Sequence, residues 1–494
     1  MDRMSPRESV SGLSKSRFTA GVQCHKLLWW KVHEPEAVEL QPDIVLEDRF
    51  DQGRHVGALA TELFPGGVQI EVDRSRLEEA VAATRRVLVD GAPAIFEACF
   101  FEHNTFVAVD ILERLEDGYR LIEVKSSSSQ KDAHIPDAAV QLYVLRRAGL
   151  EIRAVEVMHL NKEFRHPEQG QLFARTDVTD EVEVWQARIP EELDAQLEML
   201  NGPCPEVDIG AHCEDPYECP FRARCWPDDP EHIGNLYNVG AKRAQGYFLR
   251  GIRQISELPA REKLNDKQQR QIRAMNTGQL IVEPGLKKAL EPFECRIGFL
   301  DFETIQRAVP VWPGMFPWQQ GAAQFSYHEL RDDGTYSHAE FLAEGPEDAR
   351  PMLAERMIEA TAGADRILHY TAFERTQIRY LRAAVPSLAV ELEELDGKLI
   401  DLAPVIRDHV YHPEFHGSFS LKDVLTPMVP DLAYDDLVII DGMVASVTIA
   451  RLLFIAGKLS PQQHEKTRHD LLEYCKRDTW ATGRLLQQLW QLVE

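Results

Sequence analysis

The chain has 494 residues, of which 44% are hydrophobic and 27% are charged, and its formal net charge at pH 7 is -25. This composition excludes a fibrous or low-complexity protein, and the length predicts two or three globular domains. The first six residues are polar and no run of about 18 apolar residues occurs, so we expect a cytoplasmic protein without a membrane partner. Eight cysteines are too few for a disulfide scaffold in a chain of this length, so thiols or metal ligands are expected.

The acidic balance argues mildly against a nucleic-acid partner, because phosphate contacts depend on Lys and Arg. It does not exclude one, since metal-dependent nucleases concentrate carboxylates at their sites and a basic groove can coexist with them. The candidate phosphate contacts are three basic pairs, Arg146 with Arg147, Lys242 with Arg243, and Arg270 with Arg273. A solvated helix face is the simpler interpretation of each pair.

Residues 1–228 are predicted to form a first domain of α/β type. Ser14 is expected to cap a helix that runs through Cys24 to residue 30. Further helices are predicted at 46–64, 77–88 and 137–148, the first of them with an apolar face that includes Leu46 and Phe50. Strands are predicted at 94–101, 106–114, 119–124 and 154–160, with turns between the first three.

One pair of these strands carries a set of charged side chains. Asp110 lies in the second strand, and Glu123 and Lys125 lie in the third. Because alternate side chains of a strand share a face, Glu123 and Lys125 point the same way while Val124 points into the core. Two carboxylates and an ammonium group would then converge, although so short a pattern also occurs by chance on solvated hairpins.

This combination suits phosphodiester hydrolysis, in which a divalent ion polarises the phosphoryl oxygen and lowers the pKa of the attacking water. Hard ions such as Mg²⁺ or Mn²⁺ take oxygen ligands, which Asp110 and Glu123 supply, with the Val124 carbonyl as a third candidate. Lys125 could position the water or stabilise the developing charge.

The region resembles the RecB-like branch of the PD-(D/E)XK nucleases, whose pattern has a helix histidine, an Asp, an E-x-K strand and a downstream helix with a Gln and a Tyr. The resemblance implies a restriction-endonuclease-like core with a mixed sheet. It also implies that His55 is an additional metal ligand and that Gln141 and Tyr143 are catalytic. Gln141 and Tyr143 stand closer together here than is usual in the family.

Four cysteines flank this domain. Cys24 precedes the core, and Cys213, Cys219 and Cys225 follow it at equal spacing. Soft thiolates select zinc or an iron-sulfur cluster, and the spacing separates the two only weakly. Four unrelated core cysteines are the alternative.

The layout resembles the iron-sulfur RecB-like nucleases, including the CRISPR-associated family and the AddB helicase-nuclease subunit. That resemblance implies a 4Fe-4S cluster on these four cysteines that ties the two ends of the domain together. The family often has C-x-x-C where this chain has five residues between Cys213 and Cys219. Cys204 is therefore a candidate substitute ligand.

Residues 229–285 are predicted to form a linker of short basic helices. Within it, residues 236–244 resemble the hairpin of a helix-hairpin-helix, in which a glycine turn exposes backbone N–H groups to a phosphate. A plain helical linker fits the pattern equally well.

Residues 286–494 are predicted to form a further α/β domain with a second acidic site. Asp301 and Glu303 interrupt an apolar strand, and burying both charges is costly unless a cation neutralises them. Glu374 lies on a helix that follows a short strand, and Tyr474 and Asp478 share one face of a later helix. The four carboxylates could hold two ions, with the tyrosine orienting the attacking water.

This part, over roughly residues 290–490, resembles the RNase H-like DEDD 3'-5' exonucleases of the tyrosine subtype. Residues 401–402 and 417–422 resemble segments between the second and third motifs of such domains. Glu374 departs from the usual Asp, which puts activity at this site in question.

No GxxxxGK-S/T phosphate loop occurs, so the chain has no obvious ATPase motor and any unwinding would come from a partner. We therefore expect a metal-dependent nuclease that processes DNA, as single strands or ends, in repair or in defence against foreign DNA. The alternative is a non-catalytic adaptor that holds nucleic acid for a partner helicase.

Overall fold

The computed structural model describes residues 12–71, 73, 76–167, 169–331, 334–432, 437–455 and 459–494, so the polar first six residues lie outside it. The described chain is an α/β protein with mixed sheets and many helices. It forms two compact units, the first of residues 1–226 with 316–318 and the second of residues 227–315 with 319–494. The segment 229–285, predicted as a linker, is grouped with the second unit. None of the described helices is long and apolar enough to span a membrane.

The first unit contains seven strands and eight α-helices among its described residues. The strands are β1 (Leu13–Ser14), β2 (Val68–Gln69), β3 (Ala94–Glu102), β4 (Thr105–Leu115), β5 (Gly118–Lys125), β6 (Ile152–Leu160) and β7 (Phe173–Asp177). The helices are α1 (Lys15–Gln23), α2 (His25–His33), α3 (Ile44–Thr61), α4 (Leu77–Asp90), α5 (His134–Arg147), α6 (Thr179–Gln186), α7 (Ile189–Leu200) and α8 (Arg222–Cys225).

These strands form one mixed sheet in the order β2-β3-β4-β5-β6-β7, with β1 beside β4. Strands β3, β4 and β5 are antiparallel, whereas β5 and β6 are parallel and are joined through α5. A parallel connection of this kind needs a crossover, and α5 is buried along most of its length because it packs on the sheet. One face of the sheet packs on α5, while Ile111 and Ile122 pack on the other face with Ala60 of α3.

Two helix predictions in this unit were wrong in detail. The helix expected through Cys24 is two helices, because Cys24 is extended at φ -164° and separates α1 from α2. The apolar face expected on the next helix is right only in part, since Val56 is buried but Leu46 and Phe50 are 37% and 51% exposed. Asp48 and Gln52 are buried in their place, and the Gln52 amide donates a hydrogen bond to the Asp48 carboxylate at 2.6 Å.

The second unit contains a five-stranded sheet and a small two-stranded one. Its strands are β8 (Ile281–Val282), β9 (Ile297–Gln306), β10 (Gln320–Leu330), β11 (Tyr336–Leu342), β12 (Arg366–His369), β13 (Leu399–Asp401) and β14 (Val410–Tyr411). Its helices are α9 (Gly240–Phe248), α10 (Asp266–Thr277), α11 (Leu286–Leu290), α12 (Arg350–Thr361), α13 (Phe373–Ala384), α14 (Ala389–Lys398), α15 (Ala403–His409), α16 (Leu421–Met428), α17 (Gly442–Phe454) and α18 (Pro461–Gln491).

The larger sheet has the order β11-β10-β9-β12-β13, antiparallel from β11 to β9 and parallel from β9 to β13. Leu300 and Phe302 of β9 pack on one face with helices α12, α13 and α14. Ile305 of β9 packs with helices α17 and α18. Strand β9 is therefore covered by helices on both faces, and its polar side chains are taken out of bulk water.

Candidate metal centres

The first acidic centre lies where strands β4 and β5 part. The ladder between them ends at the pair Ile111 and Ile122, and beyond it the Asp110 carboxylate accepts the Val124 N–H at 2.7 Å. A cavity of about 620 Å³ opens there, and Asp110, Glu123 and Lys125 all line it. The structure thus brings together the three residues of the predicted motif.

Glu123 is the hub of a set of charged hydrogen bonds behind this cavity. It is 1% exposed, and its Oε1 lies 2.7 Å from the Lys125 Nζ and 3.0 Å from the Lys15 Nζ. Gln141 donates from Nε2 to the Glu123 Oε2 at 2.7 Å. Lys125 also lies 2.5 Å from the Asp137 carboxylate. Both oxygens of Glu123 are therefore fixed in position.

The acids of this centre have opposite electrostatic environments. Burial opposes ionisation of Glu123, but Lys125 and Lys15 outweigh it and hold the pKa of Glu123 well below its usual range. Burial and the neighbouring Glu123 charge raise the pKa of Asp110 to about 7. Glu123 is consequently ionised at neutral pH, whereas Asp110 changes between its protonated and ionised forms near neutral pH.

Three further residues of this centre were not indicated by the sequence motif. Lys15 and Asp137 reach Glu123 and Lys125 from helices α1 and α5. Glu97 lines the cavity from β3 with φ at 53°, a left-handed conformation that is uncommon for residues other than glycine. In the sequence, the one feature that could have indicated a role for Glu97 is that it is a single acid within the apolar run of β3.

Two predicted site residues lie elsewhere. His55 is exposed on α3 and is not among the residues that line the cavity, so its assignment as a metal ligand does not fit. The Tyr143 hydroxyl lies 2.8 Å from His103 Nδ1 instead of at the acidic centre. Tyr143 is two residues after Gln141, and two residues turn a helix by about 200°, so the two side chains leave opposite faces.

Most of the candidate phosphate contacts are engaged within the protein. Arg146 pairs with Glu183 at the surface, and the Arg147 guanidinium lies over the Tyr143 ring. Arg270 is buried and lies 3.0 Å from a carboxylate oxygen of Glu283, so it holds the fold together. Arg273 pairs with the same carboxylate. Lys242 and Arg243 are exposed at the start of α9, just after the left-handed residues Asn238 and Gly240.

The second acidic centre consists of Asp301 and Glu303 on β9 and Asp478 on α18. Each offers one ligand oxygen, and these atoms all lie within 4.8 Å of one another. Burial, together with repulsion among neighbouring carboxylates, raises the pKa values of Asp301 and Glu303 well above their usual range. A bound cation would relieve this repulsion.

Glu374, expected as a fourth ligand, is adjacent but not part of this close group. Its charge acts on Asp301, yet its Oε2 lies 3.4 Å from His369 Nδ1, and both side chains are buried. Within the described residues, the close group contains three acids and not the four predicted.

Three more side chains flank the second centre. Tyr474 is 3% exposed, and the Lys422 ammonium lies 5.4 Å from the centre of its ring. The Lys422 charge also acts on Glu303. Cys475, which the motif did not indicate, places its sulfur 3.3 Å from the Asp301 carboxylate. The thiol can therefore donate to Asp301 and hold it in place.

The four flanking cysteines come together in the first unit. Cys24, Cys213, Cys219 and Cys225 all line one small cavity of about 20 Å³, whereas Cys204 is not among its lining residues. The Gly210 N–H points at the Cys213 sulfur at 3.5 Å. Burial raises the pKa of Cys219 to about 11, so without a cation this thiol stays protonated.

Contacts that involve no sulfur also join the two ends of this unit. The Gln23 side chain at the end of α1 donates to the backbone oxygens of His212 and Tyr217, at 2.8 and 2.6 Å. The Arg224 guanidinium pairs with Glu34 and Glu39, both at 2.6 Å. The chain segments around the cysteine cavity are therefore fixed by hydrogen bonds and ion pairs.

Comparison with known proteins gives one match. Residues 298–420 match the model of the family described as domain of unknown function DUF2779. This stretch begins in β9 and includes Asp301, Glu303 and Glu374, but it ends before Asp478. No curated protein and no solved structure matches the chain.

Proposed function

We propose that this chain is a divalent-metal-dependent nuclease that hydrolyses phosphodiester bonds at the centre of Asp110, Glu123 and Lys125. The observation that carries the proposal is that these three residues line one cavity, with Glu123 ionised and Asp110 poised near neutrality. When all are ionised, the groups at this centre have a formal charge of -2. They are the carboxylates of Asp110, Glu123, Asp137 and Glu97 and the ammonium groups of Lys15 and Lys125. A single divalent cation balances that charge.

The side chains of the first centre suit this chemistry. Asp110 and Glu123 would hold Mg²⁺ or Mn²⁺, which when bound polarises the phosphoryl oxygen and lowers the pKa of the attacking water. Asp110 must lose its proton to serve as a ligand, and a pKa of about 7 lets it do so at neutral pH. Lys125 remains protonated beside two carboxylates and can donate from Nζ to the attacking water or the phosphate. Gln141 holds Glu123 in place.

The second centre supports a separate exonuclease site. Asp301, Glu303 and Asp478 would bind Mg²⁺ or Mn²⁺, with Glu374 the fourth acid if it leaves His369. Tyr474 lies one helical turn before Asp478 on α18 and would orient the attacking water. This centre would release nucleotides from 3' ends.

The finer fold assignments belong to the same proposal. The mixed sheet with Asp110, Glu123 and Lys125 on adjacent antiparallel strands supports a restriction-endonuclease-like core. The larger sheet of the second unit, with two acids on its central strand β9, supports an RNase H-like domain. The turn before α9, with exposed Lys242 and Arg243, supports a helix-hairpin-helix.

The cysteine cavity supports a structural 4Fe-4S cluster. A tetrahedral zinc site has Zn–S bonds of about 2.3 Å, which places its sulfurs roughly 3.8 Å apart. Among the described residues no three cysteine sulfurs all lie within 4.8 Å of one another, and this wider spacing favours a cluster over a single zinc ion. Anaerobic purification should give a brown protein with about four irons per chain. A colourless protein with stoichiometric zinc would contradict the cluster.

We infer that the substrate is DNA, as single strands or ends, and that a helicase or other repair or defence protein provides unwinding. The test is cleavage of end-labelled single and double strands by the purified full chain, with Mg²⁺, with Mn²⁺ and with a chelator. Asp110→Asn should remove the cleavage assigned to the first centre, and Asp301→Asn should remove release from 3' ends. Asp117→Asn, at an exposed position in the turn between β4 and β5, is the matched control.

Two results would decide against the nuclease proposal. Metal-dependent cleavage at the wild-type rate in both acidic-site variants would show that neither centre is the active site. Tight binding of DNA without any cleavage by the wild-type chain would favour the non-catalytic adaptor.

A further inference from the structure

Helix α3 presents two glycines to the cavity of the first acidic centre. Gly53 and Gly57 are separated by one helical turn, and both lie in the interior of this 18-residue helix. Both line the cavity that contains Asp110, Glu123 and Lys125. Residues four apart share one face of a helix, so the pair forms a continuous stretch without side chains.

Glycine in a helix interior is unfavourable relative to alanine, because it loses more backbone entropy on folding. Neither glycine has a positive φ, so the backbone does not require glycine here. A Cβ at either position would meet no heavy atom within 4 Å. Gly21 in α1 is different, because its Cβ would lie 2.3 Å from the Gln196 side chain. Packing explains Gly21, but it does not explain Gly53 or Gly57.

The other cavity-lining residues of α3 fit a role in ligand binding. Ala58 and Thr61 are small, and Arg54 is exposed next to Gly53. Arg54 pairs only with Asp51 at the helix surface among the contacts of the described residues, so a phosphate can compete for it. The cavity-lining face of α3 therefore has few bulky side chains, carries one positive charge and lies beside the acidic centre.

We propose that this face of α3, made of Gly53, Gly57 and Arg54, is the track along which the backbone of a single nucleic-acid strand passes the first centre. The inference rests on the proposed nuclease function and adds the route of its substrate. Two missing side chains make room for the sugar-phosphate backbone, and Arg54 contacts a phosphate. An open cavity of about 620 Å³ bounded by α3 and the sheet suits one strand.

The test uses the full chain with Gly57→Leu, Gly57→Ala and Arg54→Gln. A leucine at Gly57 points into open space, so the protein should fold with an unchanged or higher melting temperature. It should raise the KM for a labelled single-stranded oligonucleotide by about tenfold or more, while Mn²⁺ binding measured by calorimetry stays unchanged. Gly57→Ala should have a smaller effect. Gly397→Leu is the matched control, because Gly397 is an exposed helical glycine with no heavy atom within 4 Å of its Cβ, outside this cavity.

Arg54→Gln gives a second measurement that does not depend on helix packing. Loss of one phosphate contact should reduce the slope of log Kd against log salt by about 0.7 for a single strand. Fluorescence anisotropy without divalent metal measures this slope, and it does so whether or not the protein cleaves. An unchanged slope would argue against the contact.

Failure of the track and failure of the nuclease proposal give different results. If the wild-type chain binds the strand without cleaving it and Gly57→Leu weakens this binding, the nuclease proposal is wrong and the track is supported. A folded Gly57→Leu protein with wild-type KM and Kd would overturn the track and leave the nuclease intact. A wild-type chain that binds no single strand would also overturn the track.

Discussion

Replacing Asp110 with asparagine should stabilise the metal-free protein at high pH. Asparagine keeps a side-chain oxygen that can accept the Val124 N–H, which the Asp110 carboxylate accepts at 2.7 Å. It removes the negative charge that burial and Glu123 disfavour. The substitution therefore separates the structural role of this side chain from its electrostatic cost.

The size of the effect follows from the pKa of Asp110, which is raised from 3.8 to about 7. Each unit corresponds to about 1.4 kcal/mol, so the full shift is worth about 4 kcal/mol, and partial solvent screening of this half-buried carboxylate reduces it to about 2 kcal/mol. An acid with a raised pKa binds its proton more tightly in the folded state. The free energy of unfolding therefore falls as pH rises from about 4 through 7, and the loss is complete above pH 7.

Differential scanning calorimetry with a chelator, between pH 5 and pH 8, measures this directly. The advantage of Asp110→Asn over wild type should grow by about 1 kcal/mol across that range, because about two thirds of the shift, and so of the screened effect, falls within it. Mn²⁺ should then stabilise the wild-type protein more than the variant. Asp117→Asn controls for loss of an exposed carboxylate. An advantage that does not change with pH, or a variant less stable at pH 8, would refute the electrostatic argument.

Lys15→Met should tighten Mn²⁺ binding in calorimetric titrations, because it removes one of the two ammonium groups that compete for Glu123; weaker binding would contradict this. His55→Ala should leave both Mn²⁺ affinity and cleavage unchanged, and a large loss of either would restore histidine as a ligand. Cys225→Ser should lower the iron content of anaerobically purified protein and the melting temperature of its first unit, whereas wild-type iron would exclude Cys225 as a ligand. Glu374→Asp should speed release of nucleotides from 3'-labelled strands, since the shorter carboxylate loses its contact with His369, and an unchanged rate would count against a role for Glu374.

The features that the sequence predicted well are those set by local periodicity. The two-residue repeat of a strand places Glu123 and Lys125 on one face, and the predicted strands agree with β3, β4, β5 and β6 to within a few residues. Asp301 and Glu303 follow the same rule on β9, and Asp478 joins them because α18 packs across that strand. These positions depend on the strand repeat and on one helix.

The features that the sequence did not predict depend on tertiary packing or on helix rotation. Lys15 lies 108 residues before Glu123, and only the docking of α1 brings the two within 3.0 Å. The orientation of α3 could not be derived from its apolar residues, because Asp48 and Gln52 face inward. The position of His55 outside the cavity could not be predicted for the same reason. Cys475 gave no signal at all, since a buried cysteine is common in any core.

The hydrogen bonds of Gln23 and the ion pairs of Arg224, which involve no sulfur, have a consequence for how the proposed cluster would be acquired. They already close the long loop from α1 to α8, so a cofactor bound by the cysteines would not have to offset the entropic cost of bringing the two ends of the loop together. Binding of the proposed cluster would then require that the cysteine thiols lose their protons and that their side chains move apart around it. If the proposed cluster is bound, the polypeptide would fold first and receive it afterwards, and a protein that has lost the cluster should regain it without refolding.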